Sequence, residues 1–128
     1  MALPTILSNK VGGEVVLLCT SNVTVNVAGN SSVSDIAVSG TDENVQSLTI
    51  KSVVAGTPDG NAAYWTITRN TTTVGVYSQG NYDYYQHGMI LSANGTQSFA
   101  ANLFNTTAGS LLVLCKKQST FTSAYEVR

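Results

Sequence analysis

The sequence predicts an all-β chain, a single antiparallel β-sandwich or jelly-roll-like barrel with extended termini. Three observations point there. Thr and Val dominate, and apolar residues alternate with polar ones at a period of two almost throughout, with no 3.6-residue apolar stripe between helix caps. Turn-forming clusters of Gly, Asn, Asp, Ser and Pro recur about every 8–12 residues, the spacing of short antiparallel strands. The 128 residues are enough for one hydrophobic core and too few for two.

Along the chain, "MALPTILSNK" reads as an N-terminal arm over residues 1–12, ordered only against a neighbour. "EVVLLCT" (Glu14 to Thr20) is an apolar run of strand length and reads as a buried strand. "NVTVNVAG" alternates, with Val23, Val25 and Val27 on one face and Thr24 and Asn26 on the other. A turn at "GNSS" leads to a short strand from Val33 ("VSDIAVS"), and "GTDEN" is a loop holding the most acidic place in the chain, Asp42 and Glu43. "VQSLTIKSVVA" (Val45 to Ala55) puts Leu48 and Ile50 inward and Thr49 and Lys51 outward.

"GTPDGNA" is turn chemistry, after which "AYWTITR" alternates Trp65, Ile67 and Arg69 against Tyr64, Thr66 and Thr68. "NTTT" turns into a strand at Val74–Ser78, and "QGN" leads into "NYDYYQHGMIL", read as one hairpin strand. "SANGT" is a loop with an Asn-Gly turn signal. "QSFAANLF" and "GSLLVLCKK" are the last strands, and residues 118–128 form a C-terminal tail. Deleting everything after Lys117 is therefore expected to leave the domain folded.

Composition narrows the function. Charged residues are 10% of the chain against ~25% in an ordinary soluble domain, so hydroxyls and amides must cover the surface. Such a surface resists association poorly and suits a protein covered by partners or by its own copies. Net charge is −1 and the longest basic run is Lys116-Lys117, which lacks the electrostatic footprint of a nucleic-acid binder. Apolar runs are strand-sized, so no membrane helix is expected, and the N-terminus lacks a secretory pattern. Asn-x-Ser/Thr triplets at Asn22, Asn30, Asn70, Asn94 and Asn105 read as turn and surface chemistry. Cys19 and Cys115 each close an apolar strand and read as buried free thiols, with a disulfide between them as the alternative. Two separated cysteines and one histidine make no metal spacing, and no cofactor is expected.

An enzyme is not expected either. His87 is the sole histidine, and its nearest acid, Asp83, lies four residues away, ~13 Å along a strand. The aromatic stretch around it is read as structural on one face and as contact surface on the other. Alternation places Tyr82 and Tyr84 together and Asp83 with Tyr85 opposite. The expected interface residues are Tyr82, Tyr84, Tyr85 and His87 in this stretch, with Phe121 and Tyr125 as apolar anchors in the tail.

From Ala63 onward the order of features resembles that of small virion structural proteins of tailed phages, marine cyanophage-type ones in particular. The matching pieces are Trp65, Ile67 and Arg69, then Val74, Val76, Gly80, Gly88 and Leu91, and the closing "GSLLVLCKK". The "YDYY" cluster and the chain after Lys117 depart from that pattern. The resemblance implies a capsid decoration or cement role, with the major capsid protein and neighbouring copies as partners, in a virion assembled in the host cytoplasm. It implies no catalytic residues and leaves head, neck and tail open. The alternative is a tail-fibre, baseplate or host-attachment module whose Trp65 and tyrosines, Tyr77 among them, stack on carbohydrate.

Overall fold

The computed structural model describes residues 3–27, 34–57, 62–69, 72–84, 89–92 (backbone only), 98–106 and 108–121. They form ten strands and no helix. The strands are β1 (Thr5–Asn9), β2 (Glu14–Cys19), β3 (Val23–Asn26), β4 (Glu43–Gly56) and β5 (Tyr64–Arg69). β6 (Thr72–Tyr77), β7 (Gly80–Asp83), β8 (Met89–Ser92), β9 (Ser98–Phe104) and β10 (Ser110–Phe121) complete the set. One sheet runs β1-β2-β10-β4-β7 with β8 also on β4, and the other runs β3-β9-β5-β6. Every pairing is antiparallel, and neither path closes on itself. The fold is a β-sandwich and not a barrel.

The core lies between the sheets and follows from alternation. β10 buries Leu111, Val113, Cys115 and Lys117 without a break, and β2 buries Val15, Leu17 and Cys19 beside it. From the facing sheet come Val23, Val25, Trp65, Ile67, Tyr77, Phe99 and Ala101. Each of the larger side chains contributes ~1.5–3 kcal/mol by leaving water. Trp65 is fully buried and satisfies its indole N–H on the Gly56 carbonyl at 3.4 Å.

β4 keeps step with β10 only by slipping twice. Its buried residues run Glu43, Val45, then Leu48, Ile50, then Val53, Ala55. The ladder skips Gln46 and Lys51, one extra residue at each bulge, and each slip returns the next apolar pair to the core face. The Lys51 bulge also divides the opposite edge of β4. β7 pairs with Ser52–Ala55 and β8 with Ser47–Ile50, while the Lys51 carbonyl accepts the Tyr84 N–H at 2.7 Å. "NYDYYQHGMIL" is therefore two short strands and not one.

Four further expectations change. The segment after Val33 is a turn, because Ser34 and Asp35 bond the chain locally: Ser34 Oγ donates to Val27 O, and Asp35 Oδ2 accepts Asn26 N–H, both at 2.7 Å. Its Ile36 still reaches the core. The N-terminal arm contains β1, which orders against the chain's own β2, and the tail begins inside β10, which pairs with β4 as far as Phe121–Glu43. Glu43 belongs to that strand and is buried, so the acidic place is not wholly a loop.

Candidate interaction surface

The tyrosines join the sheets. Tyr77 comes from β6 and is buried, lying over Gly75, where a Cβ would stand 2.6 Å from Tyr77 Cζ. Tyr82 from β7 meets its ring edge-on at 5.0 Å and 73°, a favourable aromatic geometry. Tyr84 O–H donates to Tyr77 Oη at 3.2 Å. Tyr82 Oη accepts the Ser78 N–H and donates to the Ser78 carbonyl, each at 3.0 Å. Burial first, then the hydrogen bond from Tyr84, pushes the Tyr77 phenol well above its ordinary range and keeps it neutral. Tyr82 and Tyr84 share the core side, with Asp83 exposed between them, as alternation requires. Both are half-buried with their hydroxyls engaged inside the chain. Tyr85, His87 and Tyr125 lie outside the described residues. With Trp65 and Tyr77 buried, neither can stack on a sugar at the surface.

At the other end of the sandwich stands a buried ion pair that sequence reasoning missed. Glu43 Oε1 and Lys117 Nζ are 2.9 Å apart and both side chains are fully buried. Lys117 also donates to Asn9 Oδ1 at 2.6 Å and to the Ile36 carbonyl at 3.0 Å, using all three of its protons. Glu43 accepts from Gly12 N–H (2.6 Å), Val38 N–H (3.0 Å) and Ser119 O–H (2.7 Å). Burial alone would raise the Glu43 carboxyl, but the bonds from Val38, Ser119, Lys117 and Gly12 outweigh it and hold it below the usual range. The arrangement binds β1, the β1–β2 turn, the 34–42 loop, β4 and β10. Every polar group in it is satisfied by the chain itself, so it is a fastening and not a vacant site. Phe121, half-buried, packs its ring near Gly12, whose φ of +64° favours glycine.

Cys19 and Cys115 are free and buried. Cys19 stands opposite Leu111 and Cys115 opposite Val15, four positions apart or ~13 Å, beyond disulfide reach. Burial pushes the Cys19 thiol up to about 12, so it is no nucleophile at neutral pH. Among the described residues no group of three or more His, Cys, Asp or Glu is placed to hold a metal. No helix there is long and apolar enough to cross a membrane.

The exposed apolar residues concentrate at β1 and its flanks. Leu3 is 62% exposed, Ile6 42%, Leu7 54% and Val11 48%. β1 is the outermost strand of the larger sheet, and no described residue pairs with its free edge. The contrast is β3, an edge of the smaller sheet, where Asp35 seals the last residue: Asn26 N–H reaches its carboxylate, and Asp35 N–H donates to Asn26 O at 2.9 Å. Unsealed edges with apolar side chains invite another chain. The sequence signal was a strand-length run, "PTILS", bearing no charge.

No protein-family model matches the chain, and no curated protein or solved structure is significantly similar to it.

Proposed function

We propose that this chain is a virion structural protein that binds and stabilises the head shell of a tailed phage, as a decoration or cement protein does. The observation that carries the reading is the exposed apolar edge at β1, with which no described residue pairs, on a domain only 10% charged. A sandwich built this way works by packing against partners, and the resemblance of its second half to small phage virion proteins supplies the kind of particle. The partners are the major capsid protein and neighbouring copies. The mechanism is mass action: a protein that binds the assembled shell and not its loose subunits shifts the equilibrium toward the shell.

Quantitative mass spectrometry of purified particles, with heads and tails separated, tests this. The expected result is a copy number tracking the major head protein, as shell symmetry demands. A few copies tracking the tail would assign the chain to attachment instead, and absence from particles would remove the reading. A tail deletion belongs after Phe121 and not after Lys117, since Ser119 holds Glu43 and Phe121 pairs with it.

A further inference from the structure

We infer that two copies of this chain join through β1, antiparallel about a two-fold axis normal to the larger sheet, so that the two sheets continue as one. The pairing goes beyond the shell-binding reading and holds or fails without it, because it belongs to the chain in solution.

Three features at β1 select a second copy as the occupant. The first is an overhang. The register sets Ile6 opposite Leu17, so both lie on the core face, yet Leu17 is buried and Ile6 is 42% exposed. The larger sheet is five strands across and the facing one four, which leaves the core side of β1 incompletely covered. An antiparallel two-fold keeps both core faces on the same side, so each Ile6 covers the other copy's overhang.

The second is charge. Thr5–Asn9 carries none, and the first charged residue is Lys10. With the axis between Leu7 and Ser8, Ile6 of one copy stands opposite Asn9 of the other, both on the core face, and Lys10 stands opposite Thr5. The two Lys10 ammonium groups are then five positions apart, ~17 Å, well beyond the ~8 Å screening length at physiological salt. A second copy therefore meets this edge without like-charge conflict.

The third is backbone supply. The free edge offers a row of N–H and C=O groups, and Pro4, which has no N–H, precedes the strand and removes no donor from it. Leu7 is the extra residue at a register shift and is 54% exposed, so it is free to meet its counterpart.

A five-residue strand makes a small interface, so the dimer is weak in solution and strengthens where a shell holds copies side by side. Sedimentation velocity of the purified chain between about 1 µM and 1 mM should show a monomer–dimer equilibrium. Ile6→Lys should raise the dissociation constant about tenfold or more, by placing two buried lysines across the axis. Val76→Lys, on the exposed edge strand of the smaller sheet, should leave it unchanged. Leu7→Cys adds an exposed thiol to a chain whose own two are buried, and oxidised glutathione should link it into a covalent dimer. That crosslink also decides the matter if Ile6→Lys fails to fold. A parent chain monomeric throughout, a dimer indifferent to Ile6→Lys, disruption by Val76→Lys instead, or no Leu7→Cys crosslink would each overturn the inference.

Discussion

The tyrosine cluster and the Glu43–Lys117 network fasten the same sandwich at different places, and they do it by opposite means. Around Tyr77 the fastening is graded. Two of its three rings are half-buried, and water can replace a hydroxyl partner there. Around Glu43 it is all or nothing, since two full charges sit out of water and each is stabilised only while the other and its hydrogen bonds remain. The difference teaches that conspicuous residues and critical residues need not coincide. "NYDYY" draws the eye and is expected to tolerate change, whereas one Glu and one Lys in ordinary strands are expected not to.

Mutations can break that comparison. Glu43→Ala leaves Lys117 charged and buried and is expected to cost ~3–5 kcal/mol in denaturant unfolding. Replacing both partners with apolar residues of similar size should cost less than either single change. A loss in the double variant equal to the sum of the two single losses would mean that the pair is not coupled. The acid limb sharpens the same point. Glu43 has a lowered folded-state pKa, so its contribution is complete above the ordinary value of about 4.3 and is lost as pH falls through the lowered one. Thermal stability should fall below about pH 4, and Glu43→Gln should flatten that decline; an unchanged acid limb would place its origin elsewhere. The smallest effect is expected from Tyr77→Phe, about 1 kcal/mol for the lost bond from Tyr84, because the ring and its contact with Tyr82 stay. A loss as large as that of Glu43→Ala would show the tyrosine fastening to be equally uncompromising.

Much of this fold is legible in the sequence where period two is kept. Val23 and Val25, Trp65 and Ile67, and Leu111, Val113 and Cys115 all fall inward as their spacing says. The same rule carried one step further places Lys117 inward after Cys115, and Glu43 inward before Val45. Their charge is what hid them, because a buried charge is rare without a partner and the partner is 74 residues away. The β4 bulges are illegible for a different reason. Nothing about Gln46 or Lys51 marks them as extra, and the slip is imposed by the unbroken alternation of β10 beside them. β1 was hidden because its first four residues are exposed, so no inward face repeats along it. Of the candidate interface, the alternation correctly grouped Tyr82 with Tyr84, but it could not say that they face Tyr77 across the sandwich.

The position of β10 has a consequence for synthesis. β10, the last of the described strands in chain order, is the middle strand of its sheet, between β2 and β4. A ribosome therefore delivers both neighbours well before the strand that joins them, and until Ser110–Phe121 emerges two apolar edges wait without their native partner. The larger sheet cannot assemble progressively behind the ribosome and must zip up around Ser110–Phe121 once that strand emerges. A chain that stops short of β10 gains neither the complete sheet nor Lys117, so the Glu43 fastening forms only once that strand has been made.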